Sequence, residues 1–345
     1  MLDERLFFFI HGMATMFFIV TGLAHFRNKN TSRLKKLCGY VLLYWAFLEI
    51  KDLALYIFPH LRGNYSSNLL ILVDMTAIPA GCFFVIELLN AGWCTLRRAA
   101  LLLFPFVLSV VAYAVAPYDY IMHATFIFVV GYSIGFMIYM VYAVRRYNQQ
   151  LINNFSNIEY IHVRWLKGVA VMLVACLIAW VISYYFSSWM IDGLYQTLLV
   201  GMWATALYFA ERQQPVQLPA ISSTPISPVS GPDLTENLHQ ALNVDKVWLN
   251  PHLTLSDLAK HVGTNRTYLS NYLNTSLQTN FYDYINGFRL QAALEQMHDP
   301  ASTATMVEIA ESSGFNSLST FRRVFVRAKG CTFVEYRQRI ESENT

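Results

Sequence analysis

The feature that most constrains this chain is the uneven placement of its apolar residues. Seven long apolar runs, at about 6–26, 37–58, 68–90, 99–118, 120–144, 168–187 and 191–210, crowd into the first part of the sequence, and the rest reads as an ordinary soluble domain. A helix of about 20 mainly apolar residues is what a hydrocarbon core of roughly 30 Å requires. Backbone polar groups in that core must be satisfied within the segment, so such runs fold as helices. The expectation is an all-α chain with a seven-helix transmembrane bundle over 1–210. The first run begins with Asp3 and Glu4 and lacks a basic leader and a small-residue cleavage site. It reads as a retained helix, not a signal peptide. Only 14% of the 345 residues are charged, against roughly 25% in a soluble domain. A disordered chain and a disulfide-held miniprotein are excluded. The five cysteines, Cys38, Cys82, Cys94, Cys176 and Cys331, are scattered. Neither a disulfide framework nor a zinc site is expected, and a reducing compartment suits the soluble part.

Basic residues orient such a bundle. The connections 27–36, 91–98 and 145–167 hold 11 Lys and Arg, whereas the N-terminus and the remaining loops hold Arg5 and Arg62. This asymmetry predicts an N-terminus outside and three basic loops in the cytoplasm. With seven spans the C-terminal domain is cytoplasmic as well.

Ionisable residues inside spans are costly and are functional candidates by default. The second run carries Glu49, Lys51 and Asp52, and the third carries Asp74 and Glu87. Glu49 and Asp52, three apart, share a helix face. Glu49, Lys51, Asp52 and Asp74 fall at mid-depth or in the outer half, where they are candidates for sensing a signal or a small ligand. The plainer reading is that Lys51 pairs with a carboxylate and fixes helix packing. Gly131-Tyr-Ser-Ile-Gly135 reads as a close helix-packing face. His11 and His123 are the only pair that suggests a haem site, and ordinary polar packing is the better account. The seventh run has no lysine for a retinal Schiff base.

Residues 211–233 contain Pro215, Pro219, Pro225, Pro228 and Pro232 among serines, with no apolar period. They are predicted to be a semi-extended linker reaching about 70 Å at most. Beyond it, 234–345 turns helical. Thr254-Leu-Ser-Asp257 is a capping box, Leu255, Leu258, Ala259 and Val262 form a buried face, and Gly263 ends the helix. A second helix from about Asn265 to Asn274 completes a helix-turn-helix. The arrangement recurs: Thr305-Met-Val-Glu308 caps, Gly314-Phe315 turns, and a helix follows from Ser317 to about Ala328. A longer helix, Phe281 to Met297, joins the units.

These residues carry a resemblance. The stretch from about 236 to 340 is similar to the AraC/XylS-type DNA-binding domain. The similarity rests on LTLSDLAKHVGTNRTYLSNYLN, on FYDYINGFRLQAALEQM and on IAESSGFNSLSTFRRVFVRAKGCTFVEYRQR. The family's GFx5FxRxF spacing is present as Gly314, Phe315, Phe321, Arg323 and Phe325, and the family's usual Pro is replaced by Phe333. The whole arrangement resembles bacterial membrane-embedded AraC-type regulators. The resemblance implies that the second helix of each unit enters a major groove of double-stranded promoter DNA.

The exposed positions suit that work. Asn265, Arg266, Thr267, Ser270 and Asn271 form the polar side of the first recognition helix; Asn316, Ser317, Ser319, Thr320, Arg322 and Arg323 serve on the second. Asn reads adenine and Arg reads guanine through paired hydrogen bonds, and Arg327 and Lys329 are placed for phosphates. Residues 1–210 carry a net charge of +5 and 211–345 one of −2, so bulk charge gives the domain little DNA affinity. Dimerisation, tethering or activation is expected to supply the rest.

No catalytic motif stands in its structural context: GxxxxGK[ST], GxGxxG and HExxH are missing, and the GxSxG match at Gly131-Tyr-Ser-Ile-Gly135 falls inside an apolar helical run instead of on a strand-to-helix turn. The reading is a one-component sensor of the bacterial inner membrane, binding lipid and promoter DNA, with a possible homodimer and a ligand in the bundle, and with no enzyme activity, cofactor or metal. The alternatives are a transporter or membrane enzyme with an autoregulatory appendage, and a helical domain that binds protein.

Overall fold

The computed structural model describes residues 2–27, 32–58, 63–159, 161–186, 188–212, 233–299 and 302–343. The proline-rich linker therefore lies almost wholly outside the described residues. Those described are helical, with an isolated antiparallel bridge between Phe155 and Thr254 in place of any sheet. The chain divides into two compact units, 1–145 with 163–212, and 146–162 with 213–345.

The first unit contains α1 (Leu2–Ala24), α2 (Arg33–Ile57), α3 (Asn64–Met75), α4 (Ala77–Leu89), α5 (Leu96–Val115), most of α6 (Asp119–Asn154), α7 (Leu166–Phe186) and α8 (Trp189–Arg212). The stretch expected as the third span breaks at Thr76. Pro79 supplies the reason: it has no N–H for the carbonyl of Met75, and it is tolerated only in the first turn of the helix it starts. Pro105 stays within a continuous α5. Leu72, Met75, Phe106, Tyr113, Met122 and Val129 form a buried core where α3, α5 and α6 meet.

Seven spans were expected, and among the described residues five stretches qualify by length and composition: Glu4–Ala24, Asn64–Leu89, Leu96–Val115, Asp119–Asn154 and Leu166–Ser183. The second and seventh runs fold as α2 and α8 but are too polar. Helix α2 carries Arg33, Lys35, Lys36, Glu49, Lys51 and Asp52; helix α8 carries Asp192, Gln196, Glu211 and Arg212. Both pack against α1, and Glu49 of α2 and Gln196 of α8 are both buried. Glu49 and Gln196 in mid-helix are directed into helix contacts, while Arg33, Lys35, Lys36, Glu211 and Arg212 at the helix ends are exposed.

Close helix approach also falls elsewhere than expected. A Cβ on Gly131 or Gly135 meets open space, so that small-residue face packs on nothing among the described residues. Instead a Cβ on Gly22 would lie 2.9 Å from Leu43 Cγ, and one on Gly39 would lie 2.7 Å from the Phe26 ring. Glu87, buried at the end of α4, accepts from the backbone N–H groups of Gly92 and Cys94 at 2.8 Å each and pairs with Arg33 at 3.1 Å. Its charge holds the following turn.

The second unit contains α9 (Asp233–His239), α10 (Leu255–His261), α11 (Arg266–Asn271), α12 (Phe281–His298), α13 (Met306–Ser312), α14 (Leu318–Lys329) and α15 (Phe333–Glu343). Helix α12 organises it. Phe281 and Ile285 close a core with Leu234, Leu238, Trp248, Leu258, Leu269 and Leu273. One turn further on, Leu290, Ala293, Leu294 and Met297 close another with Ile309, Phe315, Phe321, Phe325 and Phe333. One amphipathic helix thus carries two small helical cores side by side, each too small to be stable alone.

Candidate nucleic-acid interface

Each helix pair is set by local chemistry. Thr254 Oγ1 accepts from Asp257 N–H at 3.2 Å, while the Asp257 carboxylate accepts from Thr254 N–H at 3.0 Å. Thr305 and Glu308 repeat the arrangement at 3.3 and 2.7 Å. Those bonds hold the Glu308 carboxyl below its ordinary value. The turns after α10 and α13 need left-handed backbone, met by Gly263 at φ +75° and Gly314 at φ +76°. Gly314 is further constrained, because a Cβ there would lie 2.8 Å from Leu249 Cα and from Trp248 O.

At the start of α15, where the resemblance led to an expected Pro, Phe333 is buried. It rests 5.8 Å, centroid to centroid, from each of the Phe321 and Phe325 rings. Thr332 and Glu335 exchange capping bonds across that turn, at 2.7 and 3.3 Å. The cap and the aromatic anchor keep the helix start that Pro would have pre-set.

The named residues of the recognition helices separate into three groups. Asn271, Asn316, Ser319 and Arg322 are exposed, and Thr267, Ser270 and Arg323 are half-buried. Asn265 and Ser317 are the N-caps of α11 and α14, accepting from Tyr268 N–H at 2.8 Å and Thr320 N–H at 3.2 Å. Thr320 itself is buried, and its hydroxyl accepts from Ser317 at 3.1 Å. It is a packing residue of the α14 start and not part of the open face.

Neither residue expected to meet phosphates is idle. Arg327 makes a two-pronged ion pair with Asp283 of α12 at 2.9 and 3.2 Å. Lys329 lies 5.3 Å over the Tyr336 ring.

Sequence reasoning missed the segment 146–162, which packs into this unit. Ser156 is fully buried. Its hydroxyl donates to Leu253 O at 2.7 Å and accepts from Arg289 Nη2 at 3.2 Å, and its carbonyl accepts from Asn286 at 2.9 Å. Arg289 is fully buried without a carboxylate. It bonds Trp248 O at 2.8 Å, Asn250 O at 2.7 Å and Asn286 Oδ1 at 3.1 Å. Burial lowers its guanidinium to about 10, so it is charged at neutral pH. A signal was present: positions 281, 285, 289 and 293 put Arg289 on the buried stripe of α12.

The same segment reaches both recognition helices. Asn154 Oδ1 accepts from Arg266 at 3.0 Å, and the Glu159 carboxylate accepts from the Ser319 hydroxyl. One residue on each proposed reading surface is therefore occupied by this strap.

In the bundle unit three of the four candidate sensing residues come together, and Glu49 turns to other partners. Lys51 Nζ pairs with Asp52 and with Asp74 at 3.0 Å. Glu49 is buried; it accepts from Gln196 at 2.8 Å and lies 3.4 Å from His11 Nδ1. His11 is thus engaged by Glu49, while His123 is exposed and bonds Asp119 O at 2.8 Å.

No curated protein and no solved structure matches the chain. Residues 258–339, from α10 into α15, match the family model described as a helix-turn-helix domain.

Proposed function

We propose that this chain is a membrane-tethered, sequence-specific transcription regulator that couples a signal in its helical bundle to promoter binding. The observation that carries the reading is the pair of helix-turn-helix units on one helix, inside a segment matching a helix-turn-helix family. Asn271, Asn316 and Arg322 offer the side chains that read base edges, and Ser319 suits a phosphate or base. A DNA-binding domain favours a regulator over an enzyme. Five apolar helical stretches of spanning length among the described residues support the tether. Since promoter DNA is cytoplasmic, the C-terminal unit belongs on the cytoplasmic face of a bacterial inner membrane, with the N-terminus outside. Arg145, Arg146, Arg164 and Lys167 near the strap agree with that side.

Control follows from the strap. Asn154 and Glu159 hold Arg266 and Ser319, and Glu159 places a negative charge where a phosphate would approach. DNA and strap compete, so a bundle state that disfavours the strap contacts raises DNA affinity. Because the domain carries little net positive charge, binding by a homodimer adds the affinity that one copy lacks.

The test is genomic footprinting of the tagged full-length protein in its membrane, beside an Asn271→Ala/Arg322→Ala variant. Both residues are exposed, so the variant keeps its fold. Discrete sites lost in the variant support the reading. Absence of sites across several growth conditions overturns it in favour of a transporter or a protein-binding domain.

A further inference from the structure

The bundle unit holds a pocket of about 450 Å³, a volume ordinary for a small-molecule site. Trp45, Trp180 and Trp203 line its apolar part, and Glu49, Asp52 and Asp74 line its polar part. Three carboxylates meet one ammonium there. Lys51 pairs with Asp52 and Asp74 but does not itself line the pocket. Glu49 is met by a neutral amide, Gln196, and by His11. The wall that faces the pocket is therefore electron-rich.

Two further atoms point to an occupant. Gln196 Oε1 and Trp203 Nε1 are buried with no hydrogen-bond partner among the described residues. Gln196 is 6% and Trp203 3% exposed, and both line the pocket. A buried polar atom left unpaired costs about 1–3 kcal/mol, so an acceptor and a donor remain unpaired on two residues that line the same space. A metal ion does not fit: no metal-binding group of three or more His, Cys, Asp or Glu gathers among the described residues, and a hard cation demands a shell of oxygens that apolar walls do not give.

We propose that this pocket binds a small amphipathic cation, an amine whose ammonium lies against the polar wall to which Glu49, Asp52 and Asp74 contribute and whose aromatic or aliphatic body lies against the tryptophans. The ammonium donates to a carboxylate of that wall, Glu49 or Asp52. The indole faces favour both the cation and the apolar body. That its occupancy is the signal rests on the regulator reading above; the binding itself does not.

The experiment is isothermal titration of the full-length chain in phosphatidylcholine nanodiscs with phenylbutylamine, phenylbutanol and phenylbutyrate, which share a body and differ in the head. Empty nanodiscs correct for partitioning. The amine is expected to saturate at one per chain and to bind on the order of tenfold or more tighter than the alcohol, with the acid weakest. Asp52→Asn and Glu49→Gln are each expected to bring the amine toward the alcohol while leaving the alcohol unchanged, which shows the pocket still folded. Equal affinity for the three probes, no saturable binding of any, or an amine preference that survives both substitutions overturns the proposal. Footprinting the same protein on DNA separates the two readings. DNA sites without amine binding sink only the pocket, and amine binding without DNA sites sinks only the regulator.

Discussion

Ser156→Ala is the sharpest probe of the strap. The serine hydroxyl makes two buried bonds, to Leu253 O at 2.7 Å and from Arg289 at 3.2 Å. Neither partner is stranded by its loss: Leu253 O keeps the Ser156 N–H at 3.3 Å, and Arg289 Nη2 keeps Asn250 O at 2.7 Å. The cost therefore falls near the low end of the range for hydrogen bonds to charged groups, about 1.5 kcal/mol. That is about tenfold in an equilibrium constant. If the strap and DNA compete, weakening the closed state by tenfold tightens apparent DNA binding by up to the same factor, and the gain saturates once the open state dominates. The assay is fluorescence anisotropy of a labelled duplex, taken from a footprinted site, against the full-length protein in nanodiscs at fixed salt. Unchanged or weaker binding, with thermal unfolding of the C-terminal unit unaltered, refutes competition. Weaker binding would make the strap a support of the recognition helices instead of a mask over them.

Arg327→Ala breaks an ion pair whose arginine is largely exposed, so a loss of about 0–1 kcal/mol in thermal unfolding is expected; a large fall in DNA affinity at unchanged stability would return Arg327 to a phosphate-binding role. Gly314→Ala should destabilise the second helix-turn-helix more than Gly263→Ala does the first. Both pay about 1–2 kcal/mol for left-handed backbone, but only Gly314 also meets Leu249 and Trp248; equal shifts in chemical denaturation would refute the close contact. The capping glutamates set an acid limit. The carboxyls of Glu308 and Glu335 are held below their ordinary value by Thr305 and Thr332. Their contribution is therefore complete above the unfolded glutamate value and is lost as pH falls through the lower folded value. Glu308→Gln and Glu335→Gln should flatten the acid side of the stability profile; an unchanged profile contradicts the capping account.

Much of the second unit was legible because its signals are local. The Thr254–Asp257 and Thr305–Glu308 boxes, the two turn glycines and the apolar stripe of α12 each act within a few residues, and each formed as the spacing required. The sensing cluster was legible in part. Glu49 and Asp52 share a face by helix geometry, but that Asp74 joins Lys51 while Glu49 turns to Gln196 and His11 depends on neighbours from other helices. The exposed face was partly misread for a similar reason. Periodicity places Thr320 and Arg327 on α14 without saying that one is buried under a cap and the other spent on Asp283. The span count slipped where polarity is used inside the protein, in α2 and α8.

The amino-acid order by itself determined a helical chain, an apolar first part rich in candidate spans, and two capped helix-turn-helix units, since hydrophobic period and end-capping are properties of short segments. Only the tertiary structure decided that 146–162 belongs with the C-terminal unit. That pairing rests on hydrogen bonds between Ser156 and residues 97 to 133 positions away, Leu253, Asn286 and Arg289. Nothing in a polar loop's own pattern specifies which buried carbonyl or guanidinium it will satisfy. The need for a partner is set where Arg289 is buried, and the partner is whatever the fold brings there.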